Sequence, residues 1–159
     1  MVAMKMAIKS RDERYKPAAT CEAETLGLRE AVEVAGVAES RAPGRAFLDT
    51  GNASMTVITR ALAESLGLVH ADGTPAMVKP SARRSVETTG VVAGQSEVQF
   101  IIPSVTFAIR GVEITSDVSV QGRDDGIGQQ GIDLLVSMRD IKKLVAGGAV
   151  FDPCGRTGQ

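Results

Sequence analysis

Aromatic side chains are scarce in this sequence, which has four Phe, one Tyr and no Trp among 159 residues. Val, Ile, Leu, Ala and Gly must therefore build the core of a chain in which 43% of the residues are hydrophobic. A chain of this length is one ordinary domain that buries roughly 68–70% of its unfolded surface. No apolar stretch approaches the roughly 20 residues of a membrane span, and no signal peptide is visible, so we expect a protein of the cytoplasm without a membrane partner.

Histidine and cysteine are nearly absent, with one His and two Cys. His70 leaves no His–Cys cluster for zinc, and a Ser-His-Asp site would depend on this single loop residue. We therefore expect His70 to be a surface residue and expect neither a metal nor another cofactor. Cys21 and Cys154 are expected to be free thiols, with a disulfide tying the two ends of the chain as the less favoured alternative.

An excess of positive charge is also missing, because the formal net charge is −1. A nucleic-acid footprint needs a basic face. The one local positive cluster, KMAIKSRDERYK near the start, is interrupted by acidic residues. We therefore expect no nucleic-acid partner.

What the sequence does contain is a series of short strand patterns. The segment REAVEVAGV alternates, with Ala31 and Glu33 on one face and Val32 and Val34 on the other. The dipeptide at 43–44, Pro-Gly, predicts a turn, after which RAFLD returns as a short strand.

Further along, VETTGVVAGQSEVQFIIP predicts a hairpin with Gly90 and Gly94 near its tip. A second hairpin is predicted around Arg110-Gly111, and IDLLV predicts a short apolar strand. Residues 70–83 are polar and predict a loop. GIGQQG matches the dinucleotide-binding pattern G-x-G-x-x-G, but a strand follows it instead of a helix, so we expect a loop there as well.

Two short amphipathic helices complete the pattern. TRALAESLGL has Thr59 as its cap and Gly67 at its end. SMRDIKKLVAGG has Ser137 as its cap and Asp140 as the second member of a capping box. The apolar stripe of this second helix consists of Met138, Ile141, Leu144 and Val145. Together these elements predict a mostly β protein, a closed or partly closed barrel with two short helices and not a parallel βαβ sheet.

Asp49 stands out because a charge at the end of the apolar run AFL is unusual. Asp before Thr-Gly is common in turns, so the tripeptide alone is a weak signal. Here a strand delivers the carboxylate, the β-branched TVI follows within a few residues, and an amphipathic helix comes next.

The order FLDTG, TVI, ALAESLGL, VETTGVVAG and GIDLLVSMRDIKKL resembles the retropepsin-like aspartic proteases over roughly residues 29 to 147. The resemblance implies a single-lobe acid-protease barrel with a flap hairpin. Residues 1–20 lie outside the resemblance and show no clean periodicity, so we expect a partly mobile N-terminal extension there. The protease domain is expected at 21–152 and a tail at 153–159. The family usually has Ala or Ser directly after Asp-Thr-Gly. In this chain Asn52 stands there, and Thr56 comes one residue later than the pattern places it.

The resemblance also assigns roles to particular residues. Asp49 matches the catalytic aspartate, Thr50 the residue whose hydroxyl bonds across a dimer axis, and Gly51 the glycine that lets the loop approach substrate. Gly90 matches the flap glycine, with Gly94 as the alternative. Substrate contacts are expected from the following residues: Asn52, Ala53, Gly90, Val91 and Val92. Gly131 and Asp133 match a late structural turn and strand.

The implied chemistry needs two carboxylates around one water. Two close carboxylates share one proton, so the ionised one takes a proton from water and the neutral one donates to the scissile carbonyl. The chain offers one such motif, since Asp72 and Asp125 lack the preceding apolar strand. A symmetric homodimer acting on a peptide or protein substrate is therefore expected. The alternative is a catalytically weak or inactive domain of the same fold that serves in dimerisation or peptide binding.

Overall fold

Seven strands and two helices form the part of the protein that the structure describes, which is residues 28–89, 96–122 and 127–149 of a computed structural model. The strands are β1 Arg29–Ala35, β2 Arg41–Leu48, β3 Val57–Ile58, β4 Ser85–Thr89, β5 Ser96–Ile109, β6 Val112–Val120 and β7 Leu134–Val136. The helices are α1 Arg60–Ser65 and α2 Met138–Ala146.

The strands form a closed barrel. They pair in the order β1-β2-β7-β3-β6-β5-β4, and β1 also pairs with β5 through Glu33–Ala108 and Val34–Phe107. Six strands therefore close on themselves, and β4 extends the sheet beyond β5. The predicted mostly β barrel with two short helices is confirmed.

Two of the strand pairs are parallel. β2 runs beside β7, with Leu48 opposite Val136, and β3 runs beside β6, with Val57 opposite Ser119. The other pairs are antiparallel. β7 is thus inserted between β2 and β3, and it brings the late part of the chain beside residue 48.

Aliphatic side chains fill the barrel, as the lack of aromatics required. Alternation in β1 buries Val32 and Val34 and exposes Ala31 and Glu33, as predicted. Phe107 is the largest fully buried side chain of the described residues. Other buried members of the core are Leu48, Ile58, Ile102, Val118, Leu134, Val136, Ile141 and Leu144.

The predicted turn at residues 43–44 is wrong, because both residues lie inside β2. The chain turns earlier, at residues 37–40, where Ala38 and Glu39 have positive φ. Pro43 is tolerated because β7 reaches only to the level of Ala46, so β2 has β1 as its one strand neighbour at that point. A Cβ on Gly44 would lie 3.2 Å from the Asp133 side chain, so glycine leaves room for that carboxylate.

The two predicted hairpins share one long strand. β4 pairs with β5 up to Thr89 opposite Ser96, and β5 pairs with β6 through the Arg110-Gly111 turn. Pro103 does not end β5, since a register shift between Ile102 and Val105 absorbs it. Both hairpins are confirmed, while residues 90–95 at the tip of the first lie outside the described residues.

Both helix caps are confirmed, and two details of α2 are wrong. The Thr59 hydroxyl accepts from Leu62 N, and the Ser137 hydroxyl accepts from Asp140 N at 3.3 Å. The Asp140 carboxylate does not return to Ser137 N, because that amide donates to the Thr56 hydroxyl. Val145 is 47% exposed and does not belong to the buried stripe.

Candidate functional site

Asp49 lies at the carboxyl ends of two parallel strands. Its backbone N donates to Val136 O at 2.9 Å, which continues the pairing of β2 with β7 by one residue. Its Oδ1 accepts from Gly51 N at 3.0 Å, and its O accepts from Asn52 N at 3.0 Å. From the described residues Oδ2 receives no hydrogen bond. The turn therefore fixes the carboxylate through one oxygen and leaves the other for a further partner.

Thr50 and Gly51 are exposed beside this carboxylate. The Asp49 side chain is half-buried, because β2 and β7 flank its base. The loop therefore presents a carboxylate, a hydroxyl and a glycine at the surface. A second molecule can contact these groups without any change in the strands.

The side chain of Asn52 closes the loop that follows. Its Nδ2 donates to Met55 O at 3.1 Å, and its Oδ1 accepts from Ser54 N at 2.9 Å. Its backbone O accepts from Met138 N at 2.8 Å, which ties the loop to the start of α2. The additional residue after Asp-Thr-Gly is therefore taken up within the loop. Ala53, also predicted to contact substrate, is exposed.

Asp140 anchors the end of the same loop, and the sequence analysis missed this role. Its carboxylate is fully buried and accepts from the hydroxyl of Thr56 at 2.5 Å and from that of Ser116 at 2.8 Å. Arg139 and Lys143 place cationic nitrogens 3.5 and 3.7 Å from Oδ1. The position of Asp140 four residues before Leu144, on the apolar side of α2, is the signal that could have shown its burial.

A row of side chains across five strands forms a wall beside Asp49. The pairings align Phe47 of β2, Leu135 of β7, Val57 of β3, Ser119 of β6 and Ile101 of β5. Their neighbours in sequence face the core, so this row faces the other side of the sheet.

Asp49 lies on that same side, because it follows Phe47 by two residues. Phe47, Val57 and Leu135 are half-buried and offer apolar contact, whereas Ile101 and Ser119 are buried. We call this surface the Asp49 wall. Sequence analysis could not find it, since the row depends on the register of strands far apart in the chain.

Some of the remaining predicted residues have structural roles, and others lie outside the residues that the structure describes. Gly131 has φ 73° and ends a short turn, and the Asp133 carboxylate accepts from Arg45 N at 2.8 Å, in agreement with their expected structural roles. His70 is exposed, as predicted. Several predicted positions lie outside the described residues: Cys21, Gly90, Val91, Val92, Gly94, Asp125 and Cys154.

The G-x-G-x-x-G match does not open an α-helix over its described part. Residues 128–130 form one 3-10 turn, and β7 follows shortly after. Within 28–89, 96–122 and 127–149, no group of three or more His, Cys, Asp or Glu is placed to hold a metal ion. The helices of those ranges are all too short or too polar to cross a membrane.

No family model matches this chain, and no curated protein sequence matches it. The resemblance to retropepsin-like proteases therefore depends on the motif order and on the placement of Asp49.

Proposed function

We propose that this protein is an aspartic endopeptidase that acts as a symmetric homodimer, with Asp49 of each subunit activating one water. The observation that carries the proposal is the position of Asp49. Two parallel strands present its carboxylate at their common end, with Thr50 and Gly51 exposed beside it. The Asp49 wall begins two residues away and offers an apolar surface for an extended peptide.

The second carboxylate of the pair comes from a second copy of the chain. Asp72 is a poor substitute, because the hydroxyl and amide of Thr74 both donate to its Oδ1 and hold its pKa below the usual value. Asp140 and Asp133 are engaged in holding the fold. A two-fold axis beside the exposed Thr50 would bring two Asp49 carboxylates together.

Paired in this way, the carboxylates would divide the work of hydrolysis. One shared proton leaves one group as a base toward water and the other as an acid toward the scissile carbonyl.

Asp49→Asn tests the proposal. We expect the rate of peptide cleavage to fall at least about a hundredfold, which is the scale of general acid–base catalysis. Fold and dimer should persist, since the amide keeps the shape and still accepts from Gly51 N. Cleavage of a mixed peptide library, measured by mass spectrometry beside thermal melts, is the assay, and Asp72→Asn is the matched control.

Two results would speak against the proposal. If the Asp49→Asn variant cleaved at nearly the wild-type rate, Asp49 would not be the catalytic group. A variant that loses stability but keeps its activity per folded molecule would make Asp49 a structural turn residue. Peptide binding without Asp49-dependent cleavage would support the alternative, a dimerisation or peptide-binding domain.

A further inference from the structure

Two glutamine side chains next to the Asp49 wall have buried oxygens without a hydrogen-bond partner. Gln99 is only 6% exposed, and its Oε1 is buried and unpartnered by the described residues. The Oε1 of Gln121 is also buried and unpartnered by them, although its side chain reaches the surface in part. A buried polar atom without a partner costs about 1–3 kcal/mol, so native proteins keep few of them.

The two glutamines belong to the same patch of sheet. β5 and β6 are antiparallel with Ile101 opposite Ser119. Continuing this register by two residues places Gln99, two residues before Ile101, opposite Gln121, two residues after Ser119. A step of two residues keeps a side chain on the same face of a strand. Both amides therefore extend the Asp49 wall beyond Ile101 and Ser119, at its end farthest from Asp49.

The orientation of the Gln99 amide is set by its neighbour Glu97. Gln99 Nε2 donates to Glu97 Oε2 at 2.9 Å. An ionised carboxylate can only accept, so the nitrogen of Gln99 must point to Glu97 and its oxygen must point away. Glu97 Oε1 would also lie 2.9 Å from a Cβ on Gly122, the residue after Gln121, so no other residue fits there without displacing this carboxylate.

We propose that Gln99 and Gln121 form a subsite that accepts hydrogen bonds from a donor-bearing side chain of the substrate, with lysine and arginine as the best fit. The inference rests on the proposed function, and it defines the class of peptide that the enzyme would cleave. An apolar side chain leaves both oxygens without partners. An acidic one places negative charge beside two carbonyl oxygens and near Glu97.

The subsite is remote from the scissile bond. Asp49 follows β2, whereas the glutamines lie on β5 and directly after β6, with β7 and β3 between. The registers also place the two glutamines four residues along the strands from the level of Asp49. At about 4.8 Å between strands and about 3.3 Å per residue, the separation corresponds to roughly six to seven residues of extended peptide. The donor is therefore selected away from the bond that is cut.

Matched peptides test this assignment. A lysine or a norleucine, which differ only in the ammonium group, is placed at each position roughly six to seven residues from the scissile bond. We expect kcat/KM to favour lysine by about five- to tenfold at one position, the scale of one or two buried hydrogen bonds. Gln99→Leu and, separately, Gln121→Leu should remove that preference. Thr106→Val, which removes a polar group from the far part of β5, should keep it.

The outcomes separate this inference from the proposed function. Asp49-dependent cleavage without a lysine preference, or a preference that persists in both glutamine variants, overturns the subsite and leaves the protease. If nothing is cleaved, fluorescence anisotropy measures the same peptides binding to the wild-type chain. Tighter binding of the lysine peptide that is lost in Gln99→Leu keeps the subsite and rejects the protease. Equal binding of both peptides rejects the two together.

Discussion

Asp140 joins three separate parts of the chain at one buried carboxylate. It lies in α2, and its two oxygens reach Thr56 after the Asp-Thr-Gly loop and Ser116 in β6. Buried polar groups of this kind stabilise a fold only while every member has a partner. The position of the Asp49 loop therefore depends on a buried residue that lies far from it in the sequence.

Removing that carboxylate should be costly. We expect Asp140→Ala to lower the free energy of unfolding by about 2–4 kcal/mol, because the hydroxyls of Thr56 and Ser116 would lose their acceptor inside the protein. Asp140→Asn keeps one acceptor and should cost less. Urea denaturation measures both, with the exposed Asp72→Ala as control. A loss below about 0.5 kcal/mol in the alanine variant would show that the network does not hold the loop.

Asp117 gives the barrel a dependence on pH. Its Oδ1 accepts from Ser104 N at the irregular point of β5, where Ser104 has φ 54°, and its Oδ2 pairs with Arg84 at 2.9 Å. The Ser104 amide, and after it Arg84, hold the pKa of Asp117 below its usual value. Its contribution to stability is therefore complete above the unfolded pKa of about 3.9 and is lost as pH falls through the lower folded value.

We accordingly expect Asp117→Asn to be less stable than wild type at pH 7 by about 0.5–1 kcal/mol, a figure kept small because both partners are partly exposed. The difference should shrink as the pH falls below about 4. Urea titrations at pH 7 and at several acidic values, with Glu39→Gln as a surface control, measure it. A difference that stays constant over this range would contradict the charge argument.

At the scale of elements, a glycine sets how closely β1 and α1 approach. A Cβ on Gly36 would lie 2.4 Å from Leu66 O at the end of α1 and 2.5 Å from the Ser40 hydroxyl. Val37 N donates to that same Leu66 O at 3.0 Å. The turn after β1 and the end of α1 therefore meet backbone to backbone.

Gly36→Ala should destabilise the protein by about 2–3 kcal/mol, because the methyl group meets backbone that cannot move without breaking this contact. Gly111→Ala is the control: its φ is 77° with nothing within 4 Å of the added Cβ, so it should cost only about 1 kcal/mol of backbone strain. Thermal melts of the two variants compare them. If both variants lost the same stability, the contact between Gly36 and the end of α1 would accommodate a methyl group without added cost.

The elements that were predictable are those whose signals are local. Thr59 and Ser137 precede helices and cap them, and the alternation in β1 decides which valines are buried. The turn predicted at Pro43 was wrong because a proline is excluded from a strand only where a neighbouring strand needs its N–H. Which strands are neighbours depends on the strand order, and the local sequence does not define that order. β5 continues past Pro103, since the Asp117 carboxylate accepts from Ser104 N at the irregular point beside it.

In the candidate site, too, the residues that could be predicted are those with a local sequence signal. Asp49, Thr50 and Gly51 could be selected from the sequence because the motif and the strand before it are contiguous. The Asp49 wall and the Gln99–Gln121 pair could not, since they combine strands whose register only the folded barrel defines.

For the whole molecule, the proposed chemistry requires two copies. Thr50 is exposed beside Asp49, where a hydroxyl could bond across a two-fold axis. We expect Thr50→Ala to weaken the dimer by roughly 1–3 kcal/mol, since a symmetric dimer makes each such bond twice at about 1 kcal/mol apiece. Activity should fall with it, whereas Thr50→Ser should be mild.

Analytical ultracentrifugation beside an activity titration measures this coupling. Full specific activity in a strictly monomeric fraction would exclude the shared site. If Thr50→Ala left the dimer dissociation constant and the cleavage rate unchanged, the Thr50 hydroxyl would have no role in the interface.

The insertion of β7 between β2 and β3 has a consequence for the order in which the protein is made. Arg45 and Asp133 hold β2 beside the segment that leads into β7, although 88 residues separate them. At about 5–20 residues per second, synthesis reaches β7 roughly 4–17 s after the Asp-Thr-Gly loop. Throughout that interval the nascent chain carries its aspartate without the strand that positions it. The proposed site therefore cannot form before β7 has been synthesised, however early Asp49 itself leaves the ribosome.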